Sequence, residues 1–195
     1  MVEPHHELQS KNAKLEELAR TDALTGLPNR RAIEEWADKQ LKGSSRHGFP
    51  IWMILGDLDG FKQVNDTFGH AAGDAVLRTF AETLKQGTRA SDMCGRLGGD
   101  EFLMVISHVS GEKIELIVNR FREQFSNLSF PFSARSISLT ATFGAAGVES
   151  DQMWSFSELL RSADEMLYEA KRGGRNCVRM RLVGFPAMKG SGLTE

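Results

Sequence analysis

Arg96-Leu97-Gly98-Gly99-Asp100-Glu101-Phe102, running on into Leu103-Met104-Val105-Ile106, decides how this chain is read. Two glycines between strand-like segments predict a tight hairpin, because glycine takes positive φ at little cost. Two acids follow at once, so the carboxylates stand at the tip of the hairpin or just inside it. Acids at an unobstructed backbone turn suit a metal-bound polyphosphate. A plain surface Gly-Gly-Asp turn explains the string alone equally well.

Working upstream, Ile51-Trp52-Met53-Ile54-Leu55 is a continuous apolar run, as expected of a strand covered on both faces. It ends in Gly56-Asp57-Leu58-Asp59-Gly60, which places acids at the C-terminal end of a buried strand, where sheet ligands commonly bind. Phe61 to Phe68 predicts a short helix and Gly69 to Asp74 a loop. Asp74 is placed to cap the next helix, with Val76, Leu77, Phe80 and Leu84 as its apolar stripe and Gly87 as its stop.

A helix is also expected after Arg31, with Ile33, Trp36, Ala37 and Leu41 on one face, and another from about Glu112 to Phe125. Ser136 to Phe143 alternates with period two and predicts one strand with a wet face. Ser155-Phe156-Ser157-Glu158 has capping-box spacing and opens a helix that Gly173-Gly174 closes. Cys177 to Leu182 is expected as an edge strand. Strands interleaved with helices around a hairpin predict an α/β (α+β) ferredoxin-like sandwich: a central, mainly antiparallel sheet flanked by helices.

The chain has 195 residues, 41% hydrophobic, with a net charge of -2, enough for one domain with a real core. That charge excludes a general nucleic-acid coat. No apolar run reaches membrane-spanning length, and the polar start carries no secretory signal. Cys94 and Cys177, far apart, are read as free thiols in a reducing cytoplasm, and His5-His6 as solvated tail residues. The domain organisation is read as an N-terminal helical connector over 1–20, a folded domain over 21–182 and a loosely ordered tail over 183–195. Leu8, Leu15 and Leu18 fit heptad positions, as an amphipathic connector or as a frayed terminal helix.

Five ordered stretches resemble one family. They are Asp22 to Arg31, Asp57 to Asp66, Phe68 to Asp74, Arg96 to Phe102, and Ala163 to Asn176. The chain is identified by them as similar to the GGDEF-domain diguanylate cyclases, which condense two GTP into cyclic di-GMP. The resemblance implies a nucleotide-cyclase-like fold and Mg²⁺ (or Mn²⁺) held by Asp57, Asp100 and the Leu58 carbonyl. Gly98 and Gly99 match the turn beside the nucleotide, with Asp100 and Glu101 as catalytic acids. Glu101 either supports the metal or serves deprotonation of the 3′-hydroxyl. The backbone from Asp59 to Lys62, including Phe61, matches a phosphate cradle, and Lys62, Lys171 and Arg175 match triphosphate contacts. Asn65 and Asp74 match guanine readers.

Arg89 and Asp92 match the family's Arg-x-x-Asp inhibitory site for product, with Arg120 as a second arginine. The resemblance further implies a homodimer for catalysis and control by an upstream sensory module outside this sequence. A domain that binds GTP or cyclic di-GMP without turnover is the alternative. Simpler structural roles stand beside these. Asp57 can cap a helix, Glu101 can be an exposed strand acid, and Lys171 and Arg175 can offset a helix C-terminus. Asp59 is read as a turn residue rather than a ligand.

Overall fold

The computed structural model describes residues 20–132, 135–148 and 153–184. The predicted connector, apart from Arg20, and the predicted tail from residue 185 lie outside the described residues. The helices are α1 (Arg30–His47), α2 (Phe61–Phe68), α3 (His70–Gly87), α4 (Gly111–Ser126) and α5 (Phe156–Arg172). The strands are β1 (Ile51–Leu58), β2 (Met93–Gly98), β3 (Glu101–Ser107), β4 (Phe130–Phe132), β5 (Arg135–Ile137), β6 (Ala141–Val148) and β7 (Val178–Val183).

Five strands form the central sheet in the order β2-β3-β1-β6-β7. All neighbours are antiparallel except β6 and β7. Every position of β1 is buried, because its side chains alternate between two helical layers. Ile54 and Leu58 join Phe80 of α3 and Phe121 of α4 on one face. Ile51, Met53 and Leu55 join Ile33 and Ala37 of α1 and Leu159 and Ala163 of α5 on the other. The predicted sandwich is therefore the observed one. Among the described residues no helix is long and apolar enough to cross a membrane, and both cysteines are free.

The sequence reading needs three corrections. The strand expected over Ser136 to Phe143 is two strands, β5 and β6, separated at residues 138–140. Thr140 leaves the ladder to bond Asp59, its carbonyl taking the Asp59 N–H at 2.9 Å and its hydroxyl donating to the carboxylate at 2.7 Å. The wet face is also absent from β6, all eight of whose residues are buried. Lastly, α3 begins at His70 behind Gly69, which makes no side-chain cap bond. Asp74 thus lies inside the helix, 3.9 Å from Arg78 one turn on, and does not cap it.

Candidate active site

β1 carries Asp57 to the end of the sheet, directly between Glu101 of β3 and Thr142 of β6. Asp57 is buried, and Lys171 from the last turn of α5 places Nζ 2.8 Å from its Oδ2. Burial pushes the Asp57 carboxyl up; the Lys171 bond pulls it back, while Asp100 and Asp59 add to the rise. Glu101 is raised as well, first by burial and then by Asp57 and Asp100, with Lys171 opposing. Asp57, Asp100, Glu101 and Lys171 therefore form one electrostatic group.

The predicted hairpin is present, with Gly98 at φ 146° and Gly99 at φ 53°, values that side chains other than glycine's rarely allow. Arg96 closes the hairpin from below, donating through Nε and Nη2 to the Gly99 carbonyl at 3.0 and 2.7 Å. Its Nη1 reaches Asp22 at 3.1 Å.

Beside β1, Gly60 at φ 75° turns the chain into α2. The first-turn amides of Phe61 and Lys62 have no acceptor inside that helix. Asn65 on α2 packs against α3 at Gly73. A Cβ on Gly73 would overlap the Asn65 amide, lying 2.9 Å from its Cγ and 3.1 Å from Phe61 Cζ. Only glycine at position 73 leaves room for the Asn65 amide, so the chain brings the two predicted guanine readers, Asn65 and Asp74, to one helix junction. Lys171 and Arg175 sit at the end of α5 and just past it, Arg175 with a left-handed backbone of φ 62°.

Arg89, Asp92 and Arg120 gather elsewhere. They line one cavity of about 260 Å³ with Ile117. Burial raises the Asp92 carboxyl against the Ser107 N–H, 3.2 Å away, and the Arg89 and His108 charges. Asp92 precedes β2 and the glycines close it, so the six residues of that strand separate the two sites by roughly 20 Å.

Sequence reasoning missed two features here. Asp22 and Arg96 were both in matched stretches, but no local signal pairs residues so far apart. A further cavity of about 380 Å³ opens between α1 and α5, with Glu101, Arg161 and Asp164 on its wall. Its lining comes from five elements, so no single stretch announces it.

Residues 19–177 match the family model described as diguanylate cyclase, GGDEF domain. The chain belongs to the GGDEF family. This GGDEF domain is 34% identical over 172 residues to the diguanylate cyclase DgcP of Pseudomonas aeruginosa, covering 88% of this chain and 25% of that protein. It is 38% identical over 164 residues to the response regulator PleD of Caulobacter vibrioides, covering 83% of this chain and 36% of PleD. The chain thus spans well under half the length of these two relatives. Among solved structures, the coiled coil and GGDEF domain of DgcB from Caulobacter crescentus, in complex with c-di-GMP, superposes with a TM-score of 0.85 at 27% identity. That match covers 90% of this chain and 93% of the other.

The donor set of this GGDEF domain fits a hard divalent cation. Asp57 and Asp100 offer carboxylates and Leu58 a carbonyl, all oxygen. Among the described residues no group of three His, Cys, Asp or Glu side chains gathers as a complete metal cage. Oxygens of a bound triphosphate and water would complete the shell, a common arrangement for Mg²⁺.

Proposed function

We propose that the domain is a diguanylate cyclase, joining two GTP into cyclic di-GMP with release of pyrophosphate at each bond. The observation that carries this reading is the buried Asp57, flanked by Glu101 and held by Lys171 at the end of the sheet.

Asp57, Asp100 and the Leu58 carbonyl would hold Mg²⁺ or Mn²⁺. A cation bound there supplies charge neutralisation on the triphosphate and holds it in line. The Phe61 and Lys62 amides and the Lys62, Lys171 and Arg175 side chains take the β- and γ-phosphates. Asp74 accepts from guanine N1–H and the 2-amino group, and Asn65 meets the remaining edge. Adenine lacks that donor pair, so Asp74 rejects it. Glu101, with its raised carboxyl, takes the proton of the incoming 3′-hydroxyl. The 3′-oxygen bonds to the α-phosphorus as the α,β-bridging bond breaks, and the electron pair leaves with pyrophosphate. Lys171 and Arg175 stabilise the charge on that leaving group.

One domain offers one guanine site and the product holds two guanines. Catalysis therefore needs a second copy facing the first across a two-fold axis. The cavity of Arg89, Asp92 and Arg120 serves as a product brake, its guanidinium groups facing phosphate and Asp92 facing guanine. Control by an attached sensory module fits relatives far longer than the matched segment.

Incubating the protein with GTP and Mg²⁺ and separating the nucleotides tests the reading. Cyclic di-GMP is expected, and GTP recovered unchanged contradicts it.

A further inference from the structure

Asp59 stands just beyond β1, two residues from Asp57, and looks at first like a spare acid. Its carboxylate is fully engaged by the protein. Thr140 Oγ1 donates to Oδ2 at 2.7 Å, Thr142 Oγ1 donates to Oδ1 at 2.7 Å, and the Asn176 N–H donates to Oδ2 at 3.2 Å. The same Asn176 N–H also reaches Thr142 Oγ1 at 3.0 Å. Thr142 is fully buried and anchors the network from inside, while Asn176 stands at the surface.

The segment that Asp59 grips is strained. Gly174, Arg175 and Asn176 follow one another at φ 118°, 62° and 44°. A left-handed backbone at a non-glycine residue is unfavourable and persists only where its surroundings hold it. The Asp59 carboxylate holds this turn from the β1 side. Arg122 of α4 holds it from the other, donating through Nη1 to Asn176 Oδ1 at 3.1 Å. Arg175 lies inside the held turn, and its own N–H is tied to the Ala170 carbonyl at 3.2 Å. Asp59 also begins the turn that presents the Phe61 and Lys62 amides.

We propose that Asp59 is a positioning residue, whose carboxylate locks the Gly174–Asn176 turn so that Arg175 meets the triphosphate seated on the Phe61 and Lys62 amides. This rests on the reading of Arg175 as a phosphate contact. Asp59 thereby couples the amide half of the phosphate site to its cationic half, and it does so without touching metal or substrate.

The test is a double-mutant cycle on nucleotide affinity, measured by calorimetry on the full chain. The probe is the α,β-methylene analogue of GTP with Mg²⁺, which cannot release pyrophosphate. Arg175→Ala and Asp59→Asn are each expected to weaken binding about tenfold, the scale of one charged hydrogen bond. The double variant is expected to be no weaker than the weaker single variant. Thr142→Val removes one donor to Asp59 and one acceptor of Asn176 while keeping the carboxylate. It is expected to act in the same direction with the fold intact, so the proposal stands or falls even if Asp59→Asn unfolds. The Mg²⁺ concentration for half-maximal binding is expected to be unchanged in Asp59→Asn.

Binding by Arg175→Ala equal to the parent overturns both the phosphate reading of Arg175 and this proposal. Weakened Arg175→Ala with full affinity in Asp59→Asn and Thr142→Val overturns the proposal alone. Purely additive effects, or a shifted Mg²⁺ midpoint, also overturn it alone, the first pointing to general destabilisation and the second to a metal ligand.

Discussion

Arg96 and Asp22, 74 positions apart, form a two-pronged ion pair, with Nη1 at 3.1 Å from Oδ1 and 3.2 Å from Oδ2. The other face of the same guanidinium grips the Gly99 carbonyl. A single side chain therefore connects the segment entering the domain to the glycine turn beside Asp100. Thr25 reinforces it, donating through both N–H and hydroxyl to Asp22 Oδ1 at 2.9 and 2.6 Å.

Breaking this tie is expected to loosen the hairpin. Both partners are mostly sheltered, with side chains 12% and 23% exposed, so neither group is fully compensated by water once alone. Asp22→Ala should cost about 2 kcal/mol, between a surface pair and a buried one, and should lower turnover as well. Burial alone would raise the Asp22 carboxyl, but the Thr25 bonds and Arg96 outweigh it and hold it below its ordinary value. Its stabilising contribution is therefore present above the unfolded carboxylate range and is lost as pH falls through the lower folded value. Thermal unfolding of parent and variant between neutral and acid pH checks this. Curves that stay equally far apart down to strong acid would refute it.

Asp57 and Glu101 have the opposite sign. Both bind protons more tightly folded than unfolded. Their contribution to stability thus grows as pH falls through the raised folded values toward the unfolded range of about 4. Turnover needs them ionised and should fail on the acid side above that range. Lys171→Met removes the ammonium that pulls both groups down, so the acid limb of the pH–rate profile should move to higher pH. An unmoved limb would dissociate Lys171 from the pair.

Asp57→Ala and Asp100→Ala should each abolish turnover with the fold retained, as read by product formation beside circular dichroism. Full activity in either variant would refute the metal-holding assignment.

Gly73→Ala should displace the Asn65 amide by steric overlap. The expected result is a rise in KM for GTP with rejection of ITP retained, since Asp74 is the group that meets the 2-amino group. A KM equal to the parent's would remove Asn65 from guanine recognition.

Arg89→Ala and Arg120→Ala should both relieve inhibition by cyclic di-GMP, since both arginines line the cavity with Asp92. Inhibition of Arg89→Ala equal to that of the parent would withdraw the brake assignment.

Elements whose physics is local could be read in advance. The span of α2 follows from Gly60 and Gly69 on either side of an apolar pattern. The Ser155 capping box opens α5 as its spacing predicts. The Gly98-Gly99 turn needed only the tolerance of glycine for positive φ. Features set by distant partners were not legible. Thr140 breaks the alternating run because Asp59, far away in sequence, takes both its carbonyl and its hydroxyl. Asp74 fits a cap by composition, yet Gly69 already starts the helix. The β4–β5 pair went unseen because Pro131 sits in a three-residue strand, where neither periodicity nor propensity gives a signal. At the site, each residue type was readable, but that Arg96, Asp59 and Gly73 hold its parts in register is visible only in three dimensions.

If this domain joins two GTP through paired sites, each cyclic di-GMP releases pyrophosphate twice. The most direct measurement follows cyclic di-GMP and pyrophosphate together at high protein concentration with Mg²⁺, while a phosphodiesterase specific for cyclic di-GMP drains the product as its linear form. Two pyrophosphates are expected for each cyclic di-GMP formed. GTP bound yet recovered intact, with the brake emptied in this way, would contradict it.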